Sequence, residues 1–362
     1  MAELAPGSTI GILGGGQLGR MLAVAASRLG FRTHIFEPGS NPPAADVACR
    51  TTTAAYDDIA ALRAFAASVD VITYEFENIP TAALDVLEAA KPIRPNRRAL
   101  AISQDRMAEK AFLTSLGLSC APYAAVNTAA DLAAALARIG TPSILKTTRL
   151  GYDGKGQARL MSAADAPAAL ARMQGAPAVL EGFIDFSHEV SVIAARGLDG
   201  AVAAYDPGEN VHLGGILHTT TVPARLTPSQ RTDAVLLAAR ILNALDYVGV
   251  MGVELFVTAA DHQGGTLIVN EIAPRVHNSG HWTQNGCAVD QFEQHIRAVA
   301  GWPLGDGSRH TDIVMENLIG DDIDRLPQLA RTRDCALHLY GKGDPRPGRK
   351  MGHINRITRA RT

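Results

Sequence analysis

The sequence predicts a chain of mixed α/β and α+β class, with a Rossmann-like parallel unit first and a larger region of helices and antiparallel strands after it. Three observations carry this. Thr9 to Leu13 reads as a buried strand and is followed by Gly14, Gly16 and Gly19 in a GxGxxG arrangement. The apolar stretches Phe31 to Phe36 and Val69 to Tyr74 bracket the helical pattern Ile59 to Ser68, which completes a parallel βαβαβ start. Further on, Val190 to Ala195 and Ala201 to Tyr205 flank a Gly-Leu-Asp-Gly turn, and Val250 to Val257 can pair with Thr266 to Ile272 across Asp261 to Gly265, both patterns of antiparallel hairpins.

The elements follow in order. Leu18, Met21, Leu22, Ala25 and Leu29 form a helical stripe after the glycines, and Gly30 is a natural helix stop. The second strand ends at Glu37. Pro92 and Pro95 interrupt the pattern between Lys91 and Arg98 and mark a linker, which places a boundary near residue 100 before a helix from about Asp105 to Leu116. Thr128 with Asp131, Ser162 with Asp165 and Thr227 with Gln230 each form a capping-box pair, and Pro228 occupies the favoured first helical position. Between the first two helix starts lies a strand, Ser143 to Thr148, carrying Lys146, then the Gly-rich loop Gly151 to Gln157 and another short strand. Glu181 to Ile184 reads as a strand ahead of the hairpins. The tail from Lys342 holds Lys342, Arg346, Arg349, Lys350, Arg356, Arg359 and Arg361 against Asp344 alone.

Composition bounds the function. The 362 residues are 47% hydrophobic and 19% charged, enough for a sizeable core and two or three domains. Lys and Arg number 34 against 36 Asp and Glu, a net charge of −2, so no global positive field exists to hold nucleic acid. The apolar run from Ala234 to Val257 contains Arg240, Asp246 and Glu254 and is not a membrane span. The N-terminus has no signal-peptide pattern, so the cytoplasm is the expected location. Cys49, Cys120, Cys287 and Cys335 are scattered without a CxxC pair and are expected to be mostly buried thiols. His277 and His281 are four apart, but Asn278, Ser279 and Gly280 between them are poor helix formers, which argues against a helical zinc face.

Four clusters could carry chemistry. The GxGxxG turns backbone N–H groups and a helix N-terminus toward an anion, and Glu37, 18 residues after Gly19, stands where a dinucleotide-binding fold places its ribose carboxylate. The alternative is that the glycines only permit close strand–helix packing. Gly151, Tyr152, Asp153, Gly154, Lys155, Gly156 and Gln157 can close over a polyphosphate, with Lys146 as a point charge; the alternative is a solvated hairpin turn. Glu254 and Glu271 lie inside apolar strands. If those strands pair, both carboxylates can face one spot and hold Mg²⁺, whereas the structural alternative is a salt bridge to Arg275 or a lysine. Arg275, His277, Asn278 and His281 follow within ten residues of Glu271, a density that suggests substrate handling. The basic tail reads either as a phosphate-monoester site or as a solvated, frayed end.

Four segments then resemble one family: GGGQLGRM from Gly14 to Met21, GYDGKGQ from Gly151 to Gln157, NEIAPRVHNSGHWTQ from Asn270 to Gln284, and RPGRKMGH from Arg346 to His353. The chain resembles the 5-(carboxyamino)imidazole ribonucleotide synthases, ATP-grasp enzymes of de novo purine synthesis. The resemblance implies a Rossmann-like domain over 1–104, an ATP-grasp lid over 105–185 and an ATP-grasp C-terminal domain with a basic tail over 186–362. It implies conversion of aminoimidazole ribonucleotide, bicarbonate and ATP to the carboxyamino product, ADP and phosphate through carboxyphosphate. By similarity, Arg106, Lys146, Gly151 to Gln157, Glu181, Gly182, Phe183, Ile184, Glu189, His212, Asn270 and Glu271 would contact ATP, with adenine on the backbone of Glu181 to Ile184 and ribose on Glu189. Glu254 and Glu271 would hold Mg²⁺. Arg275, His277 and Asn278 would hold bicarbonate and carboxyphosphate, Tyr152 and Asp153 would place the amine, and Gln17 and Leu18 would help bind the ribonucleotide. Lys342 and Arg349 would grip its 5′-phosphate. On this view Glu37 is incidental, and a homodimer is implied. The alternatives are another ATP-grasp ligase, such as a formate-dependent glycinamide ribonucleotide transformylase, and, more distantly, an NAD-dependent dehydrogenase.

Overall fold

The computed structural model describes residues 3–150, 156–259 and 266–360, and among them the chain forms three sheets of four, nine and four strands. In the first sheet Arg50–Thr53, Arg32–Glu37, Thr9–Leu13 and Val71–Tyr74 lie side by side, all parallel. Ile10, Ile12 and Leu13 are fully buried, and the Gln17–Arg28 helix lays Leu18, Met21, Leu22 and Ala25 against the sheet. The expected parallel unit is present with one addition, the edge strand Arg50–Thr53. Its sequence, Arg-Thr-Thr-Thr, lacks the apolar alternation that marks a strand with one face in a core.

The expected linker is tied down. Helices Thr81–Glu88 and Arg97–Ser103 flank it, Asn96 caps the second by accepting from Ala99 N at 3.0 Å, and the same amide donates to Leu245 O at 2.8 Å. The next helix, Arg106–Ser115, is capped by Asp105.

The third sheet runs Tyr123–Val126, Ala178–Gly182, Ser143–Thr147, Gln157–Leu160 and is wholly antiparallel. Helices Ala129–Ile139 and Ala166–Arg172 pack on it through Leu132, Ala135, Leu136 and Ala169. All three capping boxes form; the one at Ser162 starts a 3₁₀ turn, Ala163–Asp165, that leads into the second helix. The strand expected at Glu181 to Ile184 lies earlier, at Ala178–Gly182, leaving Phe183 and Ile184 beyond its end.

The nine-stranded sheet is the body of the molecule. Its path is Leu267–Ala273, Gly249–Val257, His188–Arg196, Gly208–Leu213, Ile216–Val222, Thr311–Ile319, Lys350–Ala360 and Cys335–Leu339, with Val202–Ala204 paired to His188–Arg196. Both expected hairpins are there, while the strands Gly208–Leu213, Ile216–Val222, Thr311–Ile319 and Cys335–Leu339 were not foreseen. The basic tail is no frayed end: Lys350–Ala360 is an interior strand between two neighbours, and Met351 and Ile354 are buried. Of the cysteines only Cys287 is buried; Cys49 is exposed and Cys120 and Cys335 are half-buried, contrary to the expectation. Among the described residues no helix is long and apolar enough to cross a membrane.

The helix Gln291–Ala300 joins the parallel sheet to this body. Arg28 pairs with Asp290 and Glu293 at 3.0 and 2.9 Å. His295, fully buried, accepts from Val250 N at Nδ1 (3.1 Å), which leaves Nε2–H to donate to Thr73 Oγ1 at 2.7 Å. Burial lowers the pKa of His295 from 6.5 to about 3. A folded pKa below the unfolded value means that the native state binds fewer protons in that window, so this contribution is complete above pH 6.5 and is lost as pH falls toward 3. Relative to His295→Gln, a neutral side chain that keeps polar partners available, wild type is expected to lose about 1.4 kcal/mol per pH unit between about pH 6 and 4. Denaturant unfolding across that range checks it; parallel pH slopes for the two proteins would refute it.

Candidate active site

Glu254 and Glu271 stand directly opposite each other on neighbouring strands, Gly249–Val257 and Leu267–Ala273. Cross-strand partners project from the same face, so the sheet register itself brings the two carboxylates together. A bulge follows: Leu255 pairs with Val269, which leaves Asn270 as an extra residue, and its amide reaches Glu254 Oε2 at 3.5 Å. Burial, and then the charge of Glu271, raises the pKa of Glu254 to about 7. Two facing carboxylates that repel each other, with a neutral amide beside them, are a hard-oxygen donor set that fits a divalent cation such as Mg²⁺. The structural alternative does not hold for Arg275, whose Nη2 pairs with Glu77 Oε1 at 2.7 Å.

The same face continues along the sheet. Glu189, on His188–Arg196, pairs with His212 Nδ1, on Gly208–Leu213, at 2.7 Å. His277 follows the Glu271 strand, and its Nε2 lies 3.5 Å from Glu254 Oε1 while its Nδ1 meets Ser279 Oγ at 2.8 Å. Gly252 makes the room: a Cβ there would lie 2.7 Å from that of His277. Burial, then the charge of Arg275, drives the His277 pKa well below its usual value and keeps the ring neutral. Asn278 is buried, and its amide exchanges two hydrogen bonds with the amide of Asn317, at 3.0 and 2.9 Å. Both polar atoms of Asn278 therefore already have a protein partner, and Asn317 holds that loop against the sheet.

Lys146 Nζ meets Glu181 Oε2 at 2.9 Å, and Lys110 Nζ lies 3.4 Å from Glu181 Oε1. Burial pushes the Glu181 carboxyl up, but the two ammonium groups outweigh it and hold it below the ordinary range. Arg106 Nη1 donates to Thr147 O at 2.8 Å, beside Lys146. Gln157 is the cross-strand partner of Lys146, and Gly156 has a φ of +65°, a conformation suited to glycine at the end of the loop. Gly151, Tyr152, Asp153, Gly154 and Lys155 lie outside the described residues.

The glycine turn of the parallel unit has been put to another use. Glu75, just past the Val71–Tyr74 strand, accepts from Gly16 N at 2.5 Å and Gly19 N at 2.9 Å, and Glu37 accepts from Gly15 N at 2.8 Å. The N–H groups that a dinucleotide pyrophosphate would take are thus given to the chain's own carboxylates. Glu37 is not incidental, since it closes this turn. Gln17 is half-buried at the helix start, whereas the side chain of Leu18 is in the core and leaves only its backbone for a ligand. The basic loop abuts the same helix, because a Cβ on Gly341 would lie 3.1 Å from Arg20 Nη1. In that loop Lys342 sits over the Tyr340 ring and Arg349 donates to Asp344 O at 3.0 Å.

Glu75, Glu77, Lys110 and Asn317 escaped the sequence reading. For the first two a signal existed: Glu-Phe-Glu immediately past a parallel strand stands at the carboxyl end of the sheet, where such folds bind ligands. Lys110 reads as an ordinary helix charge in Arg-Met-Ala-Glu-Lys, and Asn317 sits in a strand that was itself not foreseen.

Known proteins resemble this chain over nearly its whole length. Residues 111–292 match the ATP-grasp domain, 7–104 the ribonucleotide synthetase preATP-grasp domain, and 313–362 the phosphoribosylaminoimidazole carboxylase C-terminal domain. The chain is 56% identical over 357 residues to N5-carboxyaminoimidazole ribonucleotide synthase of Brucella melitensis, covering 98% of each. It is 41% identical over 352 residues to the synthase of Bacillus subtilis, covering 96% of this chain and 91% of that protein. Among solved structures, the N5-carboxyaminoimidazole ribonucleotide synthetase of Thermus thermophilus superposes with a TM-score of 0.89 at 41% identity, covering 96% of this chain and 93% of that one. The N5-carboxyaminoimidazole synthase of Aspergillus clavatus, solved with ADP and 5-aminoimidazole ribonucleotide, gives 0.91 at 32% identity, covering 98% and 95%.

Proposed function

The chain belongs to the N5-carboxyaminoimidazole ribonucleotide synthase family of ATP-grasp ligases, and from that premise we propose that it carboxylates 5-aminoimidazole ribonucleotide with bicarbonate at the expense of ATP. The observation that carries the reading is the facing pair Glu254 and Glu271, with Arg275 and His277 on the loop that leaves the Glu271 strand. The three sheets fall one to each of the proposed units 1–104, 105–185 and 186–362, while the Arg106–Ser115 helix of the second packs on the sheet of the third.

Arg106, Lys146 and the loop Gly151 to Gln157 bind the phosphates of ATP, the backbone of Glu181 to Ile184 takes adenine, and Glu189 takes ribose, with His212 and Asn270 completing the site. Glu254 and Glu271 hold Mg²⁺, which supplies charge neutralisation on the phosphates. Bicarbonate oxygen attacks the γ-phosphorus, the bond to the β-phosphate oxygen breaks, and ADP and carboxyphosphate result. The Arg275 cation offsets the charge on that anion, while neutral His277 can donate to it or accept a proton. The exocyclic amine of the ribonucleotide then attacks the carboxyl carbon, phosphate leaves, and a proton is lost from nitrogen. Lys342 and Arg349 take the 5′-phosphate at the seam with the Gln17–Arg28 helix, and Tyr152 and Asp153 place the amine. The resemblance further implies a homodimer in the cytoplasm.

ADP release from ATP, Mg²⁺ and bicarbonate tests this, with and without 5-aminoimidazole ribonucleotide. Strong stimulation is expected, whereas turnover on glycinamide ribonucleotide with formate would replace the reading by the other ATP-grasp ligase. Within the assay, Arg349→Ala is expected to raise the KM for the ribonucleotide about tenfold or more and leave that for ATP near wild type. Equal changes in both would refute the phosphate role.

A further inference from the structure

The bulge that brings Asn270 beside Glu254 has a support of its own in Glu109. Leu267–Ala273 is an edge strand, so among the described residues the outer side of its backbone carries only an isolated bridge, Val269 with Cys120. In a regular strand the outward N–H groups recur every second residue. Here they belong to Val269, which donates to Ser119 O at 2.8 Å, and to Ile272, which donates to Glu109 Oε1 at 2.7 Å. The spacing of three is the mark of the inserted residue between them. Glu109 comes from the Arg106–Ser115 helix laid along this edge, and Glu109 and Ile272 are each only 4% exposed. Without an acceptor the Ile272 N–H is buried and unpaired, which is unfavourable, and the bulge loses the contact that sets it apart from a regular ladder. A slip of one residue would turn Glu271 to the opposite face, away from Glu254.

We propose that Glu109 is a positioning residue for the cation site: by accepting from Ile272 N it locks the bulge that turns Asn270 and Glu271 toward Glu254. The proposal rests on the reading of Glu254 and Glu271 as metal ligands. It concerns an acceptor atom, so the side chain must reach and must offer an oxygen, and glutamine does both.

The test is Mn²⁺ affinity in the presence of ADP, measured by electron paramagnetic resonance on wild type, Glu109→Gln, Glu109→Asp, Glu109→Leu and Glu271→Gln, with near-ultraviolet circular dichroism to confirm folding. Glu109→Gln is expected to bind within about twofold of wild type, while Glu109→Asp, one methylene short, and Glu109→Leu weaken binding about tenfold or more. A folded Glu109→Leu that binds as wild type overturns the proposal, as does a Glu109→Gln as weak as Glu109→Leu. If Glu109→Leu does not fold, the contrast between Glu109→Asp and Glu109→Gln decides in the same sense. Undiminished binding by Glu271→Gln would instead remove the metal reading, an outcome distinct from failure at Glu109.

Discussion

Glu271→Gln is expected to lower turnover by about three orders of magnitude without loss of fold. Glutamine keeps the shape of the side chain on an exposed position of an edge strand, so packing has little to lose. What goes is one of two charges that face each other across the ladder. Like charges in that position destabilise a sheet, so the metal-free variant should melt at the same temperature as wild type or slightly above it. The combination separates a metal ligand from a structural group. Near-normal kcat would refute the metal role, and a melting temperature lowered by many degrees would show that Glu271 serves the fold.

Arg275→Met is expected to lose nearly as much turnover, about 10²- to 10³-fold, for a different reason. Arg275 supplies the cation next to His277 and is itself held by Glu77, a residue of the parallel unit. Removing it leaves the Glu77 carboxylate in a largely enclosed site with its paired cation gone, which costs about 2 kcal/mol of stability, the pair being partly open to solvent. Glu77→Gln in the same background should restore that stability without restoring turnover. If the double variant is as unstable as Arg275→Met alone, the pair does not hold the two units together. If it regains turnover, Arg275 has no part in the chemistry.

The legible and illegible parts of this protein differ in kind. Thr128 and Asp131, or Thr227 and Gln230, are three residues apart and satisfy each other's backbone whatever the rest of the chain does, so a local pattern suffices to find them. Glu254 and Glu271 were readable because a charge inside an apolar strand is conspicuous in one dimension. Arg50–Thr53, Gly208–Leu213 and Cys335–Leu339 were not, because short or partly exposed strands carry little apolar alternation and are strands by virtue of the neighbours they pair with. The GxGxxG turn shows the limit most clearly. Its pattern predicts N–H groups turned toward a bound anion, but they are taken by Glu75, 56 residues beyond Gly19.

By itself the sequence determined the class of the chain, its capped helices, its hairpins and the chemical character of the residues at the site, all of which depend on neighbours a few positions away. Tertiary structure alone decided that Glu75 fills the glycine turn, that Glu77 holds Arg275, that Asn317 takes both atoms of the Asn278 amide, and that Glu109 meets Ile272 N. Each of these is a contact between segments far apart along the chain. A hydrogen bond tolerates only a few tenths of an ångström, and no spacing rule along one strand carries the register of another to that precision.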